Sequence, residues 1–217
     1  MAIFRQCIGK PPGFPPHFSG APYEKETQNV PNSATPLHTV THPIVLIGLM
    51  GAGKSTVGRR LAKKLGLKFT DSDDEIEKAA DCSIADIFEM YGEAEFRQGE
   101  KRVMERLLDE GPQVLATGGG AFINDDIRAK VLAKGTAVWL KAGLDALVER
   151  TARRGGRPLL NTPDPRETLE KLINERYPVY EEAPIIIDTD SKTLESTVDA
   201  IVEALMAHDC RLAGTER

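Results

Sequence analysis

Residues 48–56 read Gly48-Leu49-Met50-Gly51-Ala52-Gly53-Lys54-Ser55-Thr56 and match the pattern G-x-x-x-x-G-K-[ST] in full. The segment just before them, Ile44-Val45-Leu46-Ile47, is a short apolar strand. A glycine-rich loop between a strand and a helix offers backbone N–H groups and the positive end of the helix dipole to phosphate. We therefore predict that residues 51–56 bind a nucleotide. Lys54 would reach the terminal phosphates and the Ser55 hydroxyl would ligate Mg²⁺.

The composition favours one folded domain that acts on a small molecule. The chain has 217 residues, 41% of them apolar, and a net charge of −5. A run of basic residues typical of nucleic-acid binding is missing from the sequence, as is an apolar run long enough for a membrane helix. The three cysteines have no C-x-x-C spacing, which is typical of a reducing compartment. We expect a cytoplasmic, monomeric protein with no nucleic-acid or membrane partner.

Residues 1–42 differ from the rest of the chain. They contain 7 of the 14 prolines, including two Pro-Pro pairs, and show neither helical nor strand periodicity. We predict a disordered N-terminal extension there, followed by one domain over residues 43–210. A targeting role is disfavoured because the segment is poor in arginine and serine, so a plain extension or a misassigned start site is preferred.

The domain alternates short apolar strands with helical stretches, which is typical of a parallel sheet covered by helices on both faces. Strands are predicted at 44–47, 67–70, 113–116, 136–140 and 185–188. Gly66 is expected to end the first helix, Ser83 to begin a later one, and Gly92 to interrupt it before a long stretch to Glu110. Further helices are predicted at 125–133, 143–152, 165–181 and 193–207.

Ligands of such sheets bind beyond the carboxyl ends of the strands, which places the chemistry near residues 48, 71 and 117. The four histidines lie at 17, 38, 42 and 208, outside the expected core, so a general base there must be a carboxylate. Asp71 and Asp73 follow the second strand. Residues two apart on an extended chain face the same side. We predict that one of the two holds Mg²⁺ through water while the other accepts a hydrogen bond from an attacking hydroxyl.

These acids have a simpler alternative role, since carboxylates also cap helices and complement the helix dipole. We prefer that role for Asp74 and Glu75. Thr117-Gly118-Gly119-Gly120 directly follows the third strand and would let backbone approach a ligand closely. Arg97 has Glu93 at i−4 and Glu100 at i+3, and taken alone this pattern favours a surface ion pair.

Two further basic features follow the fourth strand. Arg150, Arg153, Arg154 and Arg157 surround Gly155-Gly156, and we read residues 150–163 as a mobile basic lid over the nucleotide. Arg176 lies near a predicted helix end, where a cation is favourable without any function.

Taken together, these segments resemble the shikimate kinase family over residues 43–205. The resemblance rests on the phosphate loop joined to further motifs, namely Asp71-Ser72-Asp73, Ser83-Ile84-Ala85-Asp86-Ile87-Phe88, Glu95-Phe96-Arg97, Gly118-Gly119-Gly120, Arg157-Pro158-Leu159-Leu160 and Arg176-Tyr177-Pro178-Val179-Tyr180. It implies a three-layer α/β phosphate-loop fold with a five-stranded parallel sheet in the order 2-3-1-4-5.

The resemblance also implies roles for individual residues. Ser55 would ligate Mg²⁺ and Asp71 would contact it through water. Residues implied for the acceptor are Asp73, Arg97, Gly118, Gly119, Gly120 and Arg176, and Arg157 would close from the lid onto ATP. A second basic contact to ATP, with Lys192 as the nearest candidate, is left open.

The reaction implied is transfer of the γ-phosphoryl group of MgATP to the 3-hydroxyl of shikimate, a step in aromatic amino-acid biosynthesis. Lys54, Asp73 and Arg157 would be the catalytic residues, with Asp73 either orienting the hydroxyl alone or also acting as its base. A kinase of the same fold acting on gluconate or a nucleoside monophosphate is the main rival. A non-catalytic nucleotide-binding protein is the second.

Overall fold

Five parallel strands form the centre of the described part of the protein. The computed structural model describes residues 40–152 and 162–215, with side chains up to residue 208. The strands are β1 (Ile44–Ile47), β2 (Lys68–Asp71), β3 (Gln113–Ala116), β4 (Thr136–Lys141) and β5 (Ile185–Asp188). Their order is β2-β3-β1-β4-β5, and all four pairings are parallel. The predicted fold class and strand order are confirmed.

The centre of this sheet is buried on both faces. All four residues of β1 and all four of β3 are buried, because helices cover the two faces of a parallel sheet. Ile44 is in register with Val114 on one side and with Thr136 on the other. The strand that leads into the phosphate loop is therefore paired with a neighbour on each side and buried along its whole length.

The helices fill the connections between the strands. They are α1 (Lys54–Leu65), α2 (Ser72–Ala80), α3 (Ile84–Asp109), α4 (Asp125–Lys134), α5 (Leu144–Ala152), α6 (Pro165–Tyr180) and α7 (Leu194–Thr215). A short 3₁₀ turn, Ala121–Ile123, precedes α4 and has no counterpart among the sequence predictions. The last helix also runs beyond the predicted end at residue 207.

The residues predicted to begin, end or interrupt helices do so in the structure. Gly66 ends α1 in a left-handed conformation, with φ 68°, and its N–H donates to the carbonyl of Ala62. Ser83 begins α3 in a complete capping box with Asp86. Gly92 breaks the helical geometry inside α3 with φ 77°, so the expected interruption is present although the helix continues on both sides.

Two predicted regions fall partly outside the description. Of the extension over residues 1–42, only 40–42 are described, and Arg157 lies outside the described residues together with the rest of 153–161. Residues 150–152 belong to the end of α5. Among the described helices, none combines the length and apolar character that crossing a membrane requires.

Candidate active site

The phosphate loop connects β1 to α1, and its path depends on glycine at position 48. Gly48 has φ 141°, a conformation that residues with a side chain rarely adopt. A methyl group there would lie 2.7 Å from the carbonyl oxygen of Leu140 in the adjacent strand β4. The loop can therefore leave the sheet at this point only without a side chain.

Lys54, the first residue of α1, folds its side chain back over the loop. Its Nζ donates hydrogen bonds of 2.8 Å to the carbonyl of Gly48 and 3.0 Å to the carbonyl of Leu49. The ammonium is thus held above the loop, at the positive end of the helix dipole. This arrangement concentrates positive charge where a polyphosphate would bind.

Ser55 and Asp71 join the phosphate loop to the end of β2. The Ser55 hydroxyl donates a hydrogen bond of 2.7 Å to Oδ2 of Asp71. The other oxygen, Oδ1, accepts from the backbone N–H of Asp73 at 3.2 Å and so caps α2. Asp71 therefore has the predicted place beside Ser55 and also the helix-capping role that was its alternative.

Asp73 lies in the first turn of α2, so the extended-chain argument that placed it was wrong. Helix formation begins at Ser72 because Asp71 supplies the cap. Asp73 nevertheless faces the same cleft as Asp71 and Lys54. Burial and, next to it, the charge of the Asp71 carboxylate together raise the pKa of Asp73 to about 6, although Lys54 opposes the rise. A carboxylate whose pKa is raised towards neutral pH is suited to receiving a proton from a substrate beside the phosphate loop.

The glycine-rich segment after β3 packs against this carboxylate. The N–H of Gly118 donates to the Ser72 hydroxyl at 3.0 Å, and the preceding Thr117 hydroxyl donates to the carbonyl of Leu46 at 3.1 Å. A methyl group on Gly118 would lie 2.8 Å from Oδ1 of Asp73. The backbone at Gly118 therefore lies close to Asp73, and its close approach to a ligand stays a prediction.

Arg97 is held by the two glutamates that the sequence suggested, but they differ in environment. Glu93 is at the exposed rim, while the Glu100 side chain is 1% exposed and accepts from Nη1 of Arg97 at 2.8 Å. Burial raises the pKa of Glu100, and Arg97 lowers it. The second oxygen of Glu100, Oε1, is buried without a hydrogen-bond partner among the described residues. The ion pair of Arg97 with Glu93 is exposed, as expected, whereas the ion pair of Arg97 with Glu100 involves a buried carboxylate.

Arg176 reaches the same glycine-rich segment from α6. Its Nη1 donates to the carbonyl of Gly119 at 2.8 Å. The guanidinium of Arg97 lies against Gly120, where a methyl group would meet Nη1 at 2.7 Å. Two arginines from different helices therefore approach neighbouring glycines, and both are close enough to Glu100 to lower its pKa.

A cleft of about 390 Å³ runs along the phosphate loop. Its lining includes residues 50–57, Asp71, Asp73, Thr117 and Gly119, together with Arg150, Thr189, Lys192, Leu194 and Thr197. Four predicted residues lie outside this lining, namely Arg97, Gly118, Gly120 and Arg176. They adjoin the cleft because Gly118 lies against Asp73 and Arg176 contacts Gly119. The predicted residues that the structure describes thus form two neighbouring groups, one predicted for the nucleotide (the nucleotide side) and one predicted for the acceptor (the acceptor side), with Asp73 and Gly119 between them.

Two residues of the site, Thr189 and Ser72, had no role in the sequence analysis, and Arg150 was predicted only as part of the lid. Arg150 donates to the carbonyl of Thr189 at 3.0 Å and to its hydroxyl at 3.2 Å, and it lines the cleft. It belonged to the predicted basic run, whereas Thr189 carried no sequence signal. Ser72 lies between Asp71 and Asp73, and the sequence offered no sign that its hydroxyl would accept a hydrogen bond from Gly118.

Comparison with known proteins gives one consistent relationship. The family model described as shikimate kinase matches residues 50–206. A shikimate kinase of Paramagnetospirillum magneticum is 53% identical over 165 residues, which cover 76% of this chain and 85% of that protein.

Solved structures agree at the level of the fold. The shikimate kinase of Acinetobacter baumannii in complex with shikimate has a TM-score of 0.75 and 37% identity, covering 78% of this chain and 96% of that one. A gluconokinase of Sinorhizobium meliloti has a TM-score of 0.58 at 20% identity, covering 83% and 100%, and shares the fold alone.

Proposed function

This chain belongs to the shikimate kinase family, and from that premise we propose how its site transfers the γ-phosphoryl group of ATP to the 3-hydroxyl of shikimate. The ATP-dependent phosphorylation of shikimate, in aromatic amino-acid biosynthesis, is the activity of the family. The roles of individual residues in this chain are inferred from where the side chains lie.

The nucleotide binds along the phosphate loop. Lys54 is already held above the loop by two carbonyls, which β- and γ-phosphate oxygens would replace as acceptors. Arg150 and Lys192 line the same cleft and would contact the rest of the nucleotide. Arg157, outside the described residues, would add charge over the γ-phosphoryl group, where an arginine contributes on the order of 10³- to 10⁵-fold in rate.

The oxygen donors beside the loop fit Mg²⁺. One hydroxyl, Ser55, and one carboxylate, Asp71, lie 2.7 Å apart next to Lys54, and no cluster of three or more His, Cys, Asp or Glu suited to a metal occurs in the part of the chain that is described. Mg²⁺ is bound in this way, by one or two protein oxygens, waters and substrate phosphates, rather than in a protein cage. When bound, Mg²⁺ would neutralise charge on the phosphate oxygens.

Shikimate would bind on the acceptor side through its carboxylate. Arg97 and Arg176 approach Gly120 and Gly119 from two helices, and guanidinium groups bind carboxylates with two parallel hydrogen bonds. Such a pair of arginines holds a planar anion in one orientation. The ring hydroxyls of shikimate are then directed towards Asp73 and the nucleotide side.

Asp73 aligns the 3-hydroxyl for in-line attack on the γ-phosphoryl group. Its carboxylate accepts the hydrogen bond of the hydroxyl, and its raised pKa fits it to take up the proton as the O–P bond forms. The proton passes from the shikimate oxygen to Asp73, and the β–γ bridging oxygen leaves with ADP. Positioning and charge neutralisation contribute most of the rate enhancement in this chemistry.

The observation that carries this proposal is the position of Asp73 between the phosphate loop and the arginine-bearing side. Lys54 and Asp71 act on its pKa from one side, and Glu100, the buried partner of Arg97, acts from the other. A kinase for a neutral sugar would have no anion for these two arginines to bind, whereas gluconate and nucleoside monophosphates are anions that an assay must compare with shikimate. The gluconokinase neighbour shares only the fold, so gluconate is the natural competing substrate to test.

A coupled assay for ADP release tests the proposal with shikimate, gluconate and nucleoside monophosphates as acceptors. We expect turnover with shikimate at least about 10³-fold above the others in kcat/KM, because the arginines and Asp73 act together on it. Lys54→Met and Arg97→Ala are the matched loss-of-function controls, one for each side of the site. Preferred turnover of another acceptor would overturn the assignment. The expected monomeric state stays a prediction that light scattering would check.

A further inference from the structure

Tyr180 bonds the glycine-rich segment from within the core. It is 1% exposed, and its hydroxyl donates a hydrogen bond to the carbonyl oxygen of Gly119. The same oxygen accepts from Nη1 of Arg176 at 2.8 Å. Tyr180 and Arg176 are four residues apart on α6 and so lie on the same face of that helix. One carbonyl is therefore held by two donors from consecutive turns.

The tyrosine ring has little freedom to move. Its centroid lies 5.8 Å from that of Trp139 and 6.4 Å from that of Phe122, both of which are fully buried. Burial raises the pKa of Tyr180 to about 12, although Arg176 opposes the rise, so the phenol remains a hydrogen-bond donor at neutral pH. The hydroxyl is a fixed point to which the Gly119 carbonyl is attached.

Gly119 lies between the phosphate loop and Arg176. A methyl group on it would be 3.5 Å from the backbone nitrogen of Met50, 3.7 Å from the carbonyl oxygen of Gly48 and 3.7 Å from Nη1 of Arg176. Any displacement of the Gly119 peptide therefore changes the distance between the arginine and the phosphate loop. In-line transfer requires the two substrates at a fixed separation, so a change in that distance would lower the rate.

We propose that Tyr180 is a positioning residue for the acceptor: its hydroxyl fixes the Gly119 carbonyl, and the carbonyl in turn aims the guanidinium of Arg176. The inference rests on the proposed function, in which Arg176 binds the carboxylate of shikimate. An arginine has five N–H donors in a rigid fork. With one of them anchored on Gly119, the remaining donors keep a fixed direction for the substrate. Without Tyr180, the arginine alone holds the peptide that anchors it.

The neighbouring Tyr177 offers a matched control on the same helix. Its hydroxyl also donates to a backbone carbonyl, that of Ala142 after β4, and its ring also packs on Trp139, with a centroid distance of 4.8 Å. Tyr177→Phe and Tyr180→Phe therefore remove the same kind of bond and keep the same kind of ring. Only the hydrogen bond of Tyr180 involves a residue of the acceptor side, namely Gly119.

The experiment compares the two variants by steady-state kinetics, by calorimetric titration with shikimate and by thermal unfolding. For Tyr180→Phe we expect the KM and Kd for shikimate to rise about 5- to 20-fold, with the KM for ATP within about twofold of the parent. For Tyr177→Phe we expect both KM values within about twofold. A purely structural role would lower the melting temperature in both variants and leave this difference absent.

A double-mutant cycle tests whether Tyr180 acts through Arg176. In an Arg176→Ala background, Tyr180→Phe should have no further effect on the KM for shikimate, because the group it aims is gone. Equal changes in the two phenylalanine variants, an unchanged KM in Tyr180→Phe, or additive effects in the cycle would each overturn the proposal. Failure of the proposed function has another signature: the parent protein itself would neither bind nor phosphorylate shikimate, and the inference would fall with it.

Discussion

Asp73 and Glu100 converge on Gly118 from two different helices. A methyl group on Gly118 would lie 2.8 Å from Oδ1 of Asp73 and 2.9 Å from Oε1 of Glu100, both closer than such atoms approach in proteins. Gly118→Ala must therefore displace at least one of the two carboxylates. We expect kcat/KM for shikimate to fall by about 10²-fold, since a misplacement of about 1 Å costs that much in an aligned site.

Gly119→Ala provides the comparison for this prediction. At Gly119 a methyl group would be 3.5 Å or more from its neighbours, which is ordinary contact distance. Its loss in kcat/KM should be smaller than that of Gly118→Ala when both are measured by the ADP-release assay. If Gly119→Ala is the more damaging of the two, the crowding of the carboxylates is not what limits this segment.

The raised pKa of Asp73 predicts the acid limb of the activity profile. Only the ionised carboxylate can accept the proton of the 3-hydroxyl, and burial raises its pKa to about 6. The pH profile of kcat/KM reports groups of the free enzyme. We expect kcat/KM for shikimate to fall about tenfold per pH unit below about pH 6 and to be level above it. In Asp73→Asn the residual rate should lose this dependence, and a profile with the same acid limb in the variant would assign the pKa to another group.

The same shift makes Asp73 costly for stability near neutral pH. Its pKa in the folded protein lies above the ordinary value of about 3.9, so the folded state binds the proton more tightly than the unfolded state does. Stability is therefore lost as the pH rises from about 4 to about 6 and the group ionises. We expect Asp73→Asn to raise the free energy of unfolding by about 1–3 kcal/mol at pH 8 and by much less at pH 4, measured by urea denaturation. A variant destabilised at pH 8 would contradict the sign.

Substitutions at Asp71 and at Asp74 would distinguish the effect of losing a metal-binding group from the effect of losing negative charge at a helix start. Both lie at the start of α2, but only Asp71 accepts from Ser55 beside the phosphate loop. We expect Asp71→Asn to raise the Mg²⁺ concentration needed for half-maximal activity at least about tenfold, as for loss of a group that supports a metal site. Asp74→Asn should leave that concentration within about twofold. Equal shifts would mean that general negative charge, and not the Ser55–Asp71 pair, sets the Mg²⁺ requirement.

The sequence predicted best what depends on neighbouring residues. Three strands, Ile44–Ile47, Gln113–Ala116 and Ile185–Asp188, have the predicted bounds, because apolar runs bounded by glycine and polar residues are local signals. The capping box at Ser83 and the left-handed Gly66 are equally local. The strand order itself came from the family resemblance, since pairing between distant strands leaves no trace in a short window.

One error came from a local helix cap, and the others arose where tertiary contacts decide. Asp73 was placed on an extended chain, whereas the cap from Asp71 starts a helix one residue earlier. Glu100 was read as a surface partner of Arg97 from its spacing, but its burial depends on Gly118 in a segment 18 residues further along. The contact between Arg150 and Thr189 joins residues 39 positions apart and has no sequence pattern at all.

The two glutamates that contact the guanidinium of Arg97 differ in burial, so their removal should have different effects. The Glu93 side chain is 67% exposed, and an exposed pair of this kind contributes about 0–1 kcal/mol. Glu100 is buried and fixes Nη1 at 2.8 Å, so it sets the direction in which Arg97 meets the substrate. We expect Glu100→Ala to raise the KM for shikimate about tenfold or more and Glu93→Ala to change it less than about twofold, by saturation kinetics at fixed ATP. Glu100→Gln retains one acceptor oxygen for Arg97 and should recover part of the loss. An effect of Glu93→Ala as large as that of Glu100→Ala would show that the exposed carboxylate orients the arginine instead.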